Sequence, residues 1–172
     1  MRNPFYTVGH STRSIAEFIG ILQSVGVTLV VDVRTVPRSR TNPQYNHDAL
    51  PQSLASLQIG YQHIAALGGL RSKDRNVPPS INAFWHNVSF HSYADYAMGV
   101  TRLREFGRAQ RRTIMCAEAL WWRCHRRIIA DYLLTGGERV FHIIGPGNIE
   151  PAHMTDVAWL DVSGALTYPA TL

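Results

Sequence analysis

Cysteine, charge and long apolar runs are all scarce in this chain. Two cysteines among 172 residues, Cys116 and Cys124, are too few for a disulfide scaffold. Charged residues make up only 17% of the sequence while hydrophobic ones make up 45%, which excludes a chain kept disordered for want of a core. The most apolar stretch, Phe18 to Val31, falls short of the roughly 20 residues that span a bilayer, so no membrane association is expected. The opening Met-Arg-Asn-Pro-Phe-Tyr carries no apolar run of signal-peptide length, and a reducing, cytoplasmic setting is the expectation. Lys and Arg outnumber Asp and Glu by 17 to 12, a formal charge of +5, which favours anionic partners without saying anything of the fold. At roughly 100 to 200 residues per domain the length suggests one domain over 1–172.

What is present alternates. Phe5-Tyr6-Thr7-Val8 reads as a buried strand that delivers Gly9, His10 and Ser11 at its carboxyl end. Ser14-Ile15-Ala16-Glu17 is a capping box, followed by Phe18, Ile19, Leu22 and Val25 at helical spacing and a stop at Gly26. Thr28 to Val33 is a second strand with Arg34 at its end. Pro37 to Pro43 forms a loop, and Leu50, Leu54 and Leu57 mark a helix whose first turn must hold Pro51. A strand at Gly60–Ile64, a lid or rim from Leu67 to Phe90, and a helix from Ser92 to Gln110 follow. Thr113–Ala117 is a strand, Arg123–Leu134 a helix and Arg139–Ile144 a strand, with an edge strand or cover in 145–172. Five strands alternating with helices predict an α/β, three-layer, Rossmann-like architecture: a mostly parallel sheet with helices on both faces. Ligands in such sheets bind beyond the carboxyl ends of the strands.

The unusual polar residues fall at those ends. Cys116-Ala117-Glu118 followed by Arg123-Cys124-His125-Arg126 spans a strand end and an expected helix start, where backbone N–H groups and the helix dipole favour a phosphate or carboxylate. The same field would lower the Cys124 pKa and make it a nucleophile with His125 as base; otherwise Cys124 is only a small residue at a helix start. Glu118 reads either as a partly desolvated catalytic acid, base or nucleophile or as a buttress for Arg34 or Arg126. His10 and Ser11 either bind substrate or hold their own turn. Cys-x7-Cys-His lacks the paired spacing of zinc sites, so no metal and no cofactor are implied. Neither cysteine heads a Cys-x5-Arg phosphate loop, because Trp122 and Ala130 occupy the arginine positions, so a cysteine phosphatase or rhodanese built on that loop fails on spacing. Arg38, Arg40, Arg71, Lys73 and Arg75, with Tyr45, Trp85, Trp121 and Trp122, could form a basic surface with stacking platforms, or could simply be scattered solubilising charges.

Several motifs together carry a resemblance: Thr7 to Ser14, Asp32-Val33-Arg34 with Pro37-Arg38-Ser39-Arg40, Asn42-Pro43-Gln44-Tyr45-Asn46, Leu67-Gly68-Gly69, and Cys116-Ala117-Glu118 with Cys124-His125-Arg126. From about residue 5 to 144 the chain resembles the family catalogued as domain of unknown function 488. The resemblance implies an α/β domain of bacterial and archaeal type. Ala119-Leu120-Trp121-Trp122 departs from the more polar loop expected there, which bears on substrate choice. The resulting expectation is an enzyme acting on a phosphate-bearing substrate, a nucleotide or nucleic acid. In it Glu118, Cys124 and His10 are catalytic, and Ser11, Arg34, Arg38, Cys116, Arg123, His125 and Arg126 hold the anion. The alternatives are a non-enzymatic nucleic-acid-binding module and a thiol redox or metal protein.

Overall fold

The structure, a computed structural model, describes residues 3–69, 96–106, 109–162 and 166–168. The expected lid from residue 70 on, with Arg71, Lys73, Arg75 and Trp85, and the expected helix start at Ser92 lie outside the described residues.

Strand β1 (Phe5–Gly9) is buried throughout, as its unbroken apolar run requires. Helix α1 (Ile15–Ser24) starts at the capping box: Ser14 Oγ accepts from the Glu17 N–H at 3.2 Å, and the Glu17 carboxylate accepts from the Ser14 N–H at 2.7 Å. Strand β2 (Leu29–Asp32) follows, then a loop with a 3-10 turn at Pro43–Tyr45, helix α2 (Leu50–Ala55) and strand β3 (Gly60–His63). Pro51 sits in the first turn of α2, where its missing N–H costs no hydrogen bond. Helix α3 (Tyr96–Glu105), strand β4 (Arg112–Cys116), a 3-10 turn at Trp121–Arg123, helix α4 (Arg126–Thr135) and strand β5 (Val140–Gly145) complete the alternation. Strand β6 (Asn148–Pro151) and a small ribbon of β7 (Trp159–Leu160) and β8 (Leu166–Thr167) end the described chain.

The main sheet has six strands in the order β3-β2-β4-β1-β5-β6 rather than the expected five. The addition is β6, which runs antiparallel to β5 at one edge while every other pair is parallel. Alternate residues supply two cores. Phe18, Leu22, Leu50 and Leu54 from α1 and α2 meet Tyr6, Val8, Val30 and Met115 on one face. On the other, Leu103, Ile128, Ile129 and Leu133 from α3 and α4 meet Phe5, Val31 and Ile114. These are the three layers anticipated from the sequence.

The segment after β6 is tied to α4 by a buried carboxylate. Asp131 accepts from the Thr155 N–H at 2.9 Å and the Tyr168 hydroxyl at 2.8 Å, while Arg127 Nε donates to Thr155 Oγ1 at 2.8 Å. None of the described helices is long and apolar enough to cross a membrane.

Topology positions the site. Strands β2, β4 and β1 are neighbours, with Asp32 opposite Met115 and Gly9 opposite Cys116, so three carboxyl ends open at one place. Gly9 is required there, because a Cβ on it would lie 1.9 Å from the Glu118 carbonyl oxygen. Only a glycine lets the β1 end and the loop after β4 run this close together.

Candidate active site

Two arginines dominate the strand ends, and each is held differently. Arg34 is gripped by the carboxylate two residues before it. Its Nε donates to Asp32 Oδ1 at 2.9 Å, its Nη2 to Oδ2 at 2.6 Å, and its backbone N–H to Oδ1 at 3.0 Å. Asp32 is fully buried and also accepts from the Tyr61 hydroxyl at 2.7 Å. Arg34 Nη2 reaches the Tyr45 carbonyl at 2.6 Å, leaving Nη1 to donate to His10 Nε2 at 3.3 Å. One reading of Glu118 made it a buttress for Arg34 or Arg126; at Arg34 it is Asp32 that fills that place. The guanidinium is therefore fixed in orientation by a bidentate pair, as anion recognition requires.

His10 stacks on Tyr45 with ring centres 4.0 Å apart and bonds its own turn, Nδ1 to the Ser11 carbonyl at 2.8 Å. Burial, partly offset by that backbone hydrogen bond, holds its pKa down at about 4. It is therefore neutral near pH 7, donating from Nδ1 and accepting at Nε2. Ser11 adopts φ +51°, an uncommon conformation for a non-glycine residue, and its N–H bonds the Ala117 carbonyl at 2.9 Å. It shapes the turn behind His10 and is not on the cavity wall, contrary to the anion-binding role expected of it. Tyr45, expected as an exposed stacking platform, is instead fully buried.

The second arginine, Arg126, is only 1% exposed, and among the described residues it forms no ion pair with a carboxylate. Nη2 donates to the Glu118 and Ala119 backbone carbonyls, and Nε points at Cys124 Sγ, 3.3 Å away. The helix here starts at Arg126 rather than Arg123. The group at its first turn is the Cys124 sulfur, which lies 3.5 Å from the Arg126 N–H. His125 Nδ1 lies 3.6 Å from that sulfur, and its Nε2 is anchored on the Val33 carbonyl at 3.0 Å. Cys116 Sγ is 2.6 Å from Cys124 Sγ.

These contacts decide which sulfur carries charge. Burial pushes the Cys124 thiol up, but the Cys116 S–H and the charges of His125 and Arg126 outweigh it and hold Cys124 well below the ordinary thiol range. Cys116 is held well above that range, first by its hydrogen bond to Cys124 and then by burial. Of the two, Cys124 is thus the sulfur that gives up its proton first and Cys116 the one that keeps it.

Both sulfurs open on a cavity of about 430 Å³, lined also by His10, Arg34, Thr35, Val36, Arg38, Ser39, Gly69, Ala117, Glu118, Arg123 and His125. Arg38, Glu118 and Arg123 are exposed at its rim. The Glu118 carboxylate accepts from the Leu120 N–H at 3.3 Å; it is neither desolvated nor paired with Arg34 or Arg126, so neither buttress alternative holds. Gly69 packs flat on His125, where a Cβ would come within 2.6 Å of Nδ1. Of the residues expected at the site, His10, Arg34, Arg38, Cys116, Glu118, Arg123, Cys124 and His125 meet at this cavity. Arg126 stands behind Cys124, and Ser11 lies aside. Thr35, Ser39 and Gly69 complete the wall without having been expected there, though Ser39 and Gly69 lie in the motifs that carry the family resemblance.

Trp121 does not belong to the rim. It stacks on His142 with centroids 4.2 Å apart and donates to the Glu150 carboxylate, while Trp122 is 41% exposed. His142 in turn meets Thr7 Oγ1 at 2.7 Å.

Cys116, Cys124 and His125 are the one cluster of metal-ligating type among the described residues, with ligand atoms within 4.8 Å of one another. They fit zinc poorly. Two sulfurs 2.6 Å apart, each about 2.3 Å from an ion, would subtend roughly 70° at it rather than a tetrahedral angle. The Arg126 guanidinium already occupies the cation position beside Cys124.

The two buried histidines give the fold an acid limit. His10 titrates at about 4 and His142 at about 3, both held down mainly by burial, against about 6.5 in an unfolded chain. Between those values the unfolded state binds more protons, so stability present above pH 6.5 is lost as pH falls through 4 and on towards 3. His10 alone should remove about 3 kcal/mol over that window. Urea unfolding across a pH series checks this; an unchanged midpoint between pH 7 and pH 4 would contradict it.

The fold and this site together define an α/β protein with a buried cysteine pair and a clamped arginine at the strand ends of a mostly parallel sheet. The chain belongs to the family described as Domain of unknown function DUF488, whose model matches residues 14–133. No curated protein and no solved structure gives a significant match.

Proposed function

We propose that this protein is an enzyme acting on a phosphate-bearing substrate, with the Cys124 thiolate as nucleophile. The observation that carries the reading is the buried Arg126–Cys124 pair, which sets a charged sulfur on the wall of a cavity that also presents Arg34, Arg38 and Arg123. A thiolate is the reactive form of cysteine, and a fixed arginine beside it recognises phosphoryl oxygens and stabilises the charge that develops on them. Cys124 Sγ attacks phosphorus, the S–P bond forms, and the P–O bond to the leaving group breaks. The leaving oxygen takes its proton from water at the open rim, and Glu118 there accepts the proton of the water that attacks phosphorus, breaks the S–P bond and releases phosphate. Arg34 Nη1, held by Asp32 and directed towards His10, binds the phosphoryl group; Arg38 and Arg123 bind the rest of the anion.

A panel of phosphomonoesters, mononucleotides and oligonucleotides tests this. On the substrate turned over, Cys124→Ser should abolish the step. Glu118→Gln should slow it by roughly a hundred- to ten-thousand-fold with unfolding little changed. Turnover that survives Cys124→Ser would refute the proposal.

A second reading rests on the exposed Arg38, Arg40, Arg123 and Trp122: a module that binds nucleic acid without chemistry. Oligonucleotide binding without turnover, with affinity falling by about 0.9 log unit per phosphate contact for each tenfold rise in salt, would favour it.

A further inference from the structure

We infer that Cys124 and Cys116 form a peroxide-responsive dithiol, in which Cys124 is the oxidised sulfur and Cys116 the one that resolves it into a disulfide. This shares with the proposed function only the Cys124 thiolate, and would silence that nucleophile reversibly.

The geometry is that of two sulfurs ready to bond. They are 2.6 Å apart, little beyond the roughly 2.05 Å of a disulfide. One lies at the end of β4 and the other between the 3-10 turn and α4, so closure needs only a small movement of the short loop joining them. Both are buried from bulk solvent yet line a cavity of about 430 Å³, which admits a molecule the size of hydrogen peroxide. The two sulfurs are also unequal. Cys124 has Arg126 Nε and the Arg126 N–H directed at it and faces His125, whereas Cys116 lies against it without either of these donors. A reactive thiolate beside a thiol is the arrangement in which a sulfenic acid is captured rather than over-oxidised.

The step balances with a hydroperoxide as oxidant. The Cys124 thiolate attacks one oxygen of the O–O bond; the S–O bond forms, and the departing hydroxide or alkoxide takes a proton to leave as water or alcohol. Cys124 is then a sulfenic acid. The Cys116 sulfur attacks it, the S–S bond forms, the S–O bond breaks, and the released hydroxide takes the Cys116 proton as water. A dithiol reductant restores both thiols.

Intact-mass spectrometry of the full chain treated with one equivalent of hydrogen peroxide, then with dithiothreitol, tests this. The wild type should lose two hydrogens and regain them on reduction. At pH 7 it should react at least tenfold faster than glutathione, of which only a few per cent is thiolate. Cys116→Ser and Cys116→Ala should stop at a sulfenic acid that dimedone traps on Cys124, and Cys124→Ser should give neither product. A wild type that accumulates the dimedone adduct or higher oxides without losing two hydrogens overturns the inference, as does reaction no faster than glutathione. Disulfide formation in a protein that turns over no phosphate ester would refute the proposed reaction and leave the dithiol standing. Ester turnover by a protein whose dithiol does not close would do the reverse.

Discussion

Replacing Arg126 with methionine should slow alkylation of Cys124 by iodoacetamide at pH 7 and raise the midpoint of the rate–pH profile towards that of an ordinary thiol, about 8.5. The wild type should instead show a plateau that persists well below that pH. Two opposing influences act on Cys124, and the substitution weakens one of them. Burial in an apolar surround disfavours the thiolate, while Arg126, His125 and the Cys116 S–H favour it. Without the guanidinium the burial remains and one of its counterweights is gone, so the thiolate is less favoured. Methionine retains the apolar volume, and removing both charges of a buried pair is often close to neutral for stability. The loss should therefore appear in reactivity rather than in folding. Cys116→Ala, which deletes the largest influence holding the Cys124 thiol down, should shift the profile further in the same direction. Indistinguishable profiles for wild type and Arg126→Met would show that the sulfur is not charged in the folded protein.

The largest loss of stability should come from Asp32→Asn. Asp32 is fully buried, and Arg34, its partner, is 7% exposed. Taking the charge from one side of such a pair leaves the other uncompensated, at a cost of about 3–5 kcal/mol. For a chain of this length that corresponds to a fall in Tm of roughly 6–20 °C. The Tyr61 hydroxyl and the Arg34 backbone N–H lose a charged acceptor at the same time. Arg34→Met in the same background should recover part of the loss, because no isolated charge then remains. A calorimetric Tm for Asp32→Asn within about a degree of the wild type would contradict this account of the Arg34 clamp.

Elements with a local chemical signature were legible in the sequence, and those set by tertiary contact were not. The capping box at Ser14 and Glu17 and the apolar runs of β1 and β2 gave the first βαβ unit directly. Strand β6 is the edge strand that was one of two options for 145–172; Asn148-Ile149-Glu150-Pro151, with one apolar residue and two turn formers, carries too little pattern to place it, and it pairs only on β5. Helix α4 was started three residues early because its N-cap is His125, without a side-chain capping bond, and Trp121–Arg123 closes a separate 3-10 turn. At the site, the convergence of His10, Arg34, Cys116 and Cys124 followed from strand ends alone. The assignment of partners did not. Glu118 was weighed for both arginines, yet Asp32 and Arg34, two residues apart, suffice for one, and the thiolate serves the other. Tyr61 and Tyr45, which fix Arg34 from β3 and from the loop after β2, come from segments that sequence spacing cannot align with it.

The central claim, a phosphate-binding cavity with a charged sulfur on its wall, is tested most directly by a crystal structure with orthovanadate, a phosphate mimic that bonds thiolates. The account predicts vanadium bonded to Cys124 Sγ, with an equatorial oxygen on Arg34 Nη1. Vanadate bound only among the exposed side chains of Arg38 and Arg40, with Cys124 untouched, would contradict it.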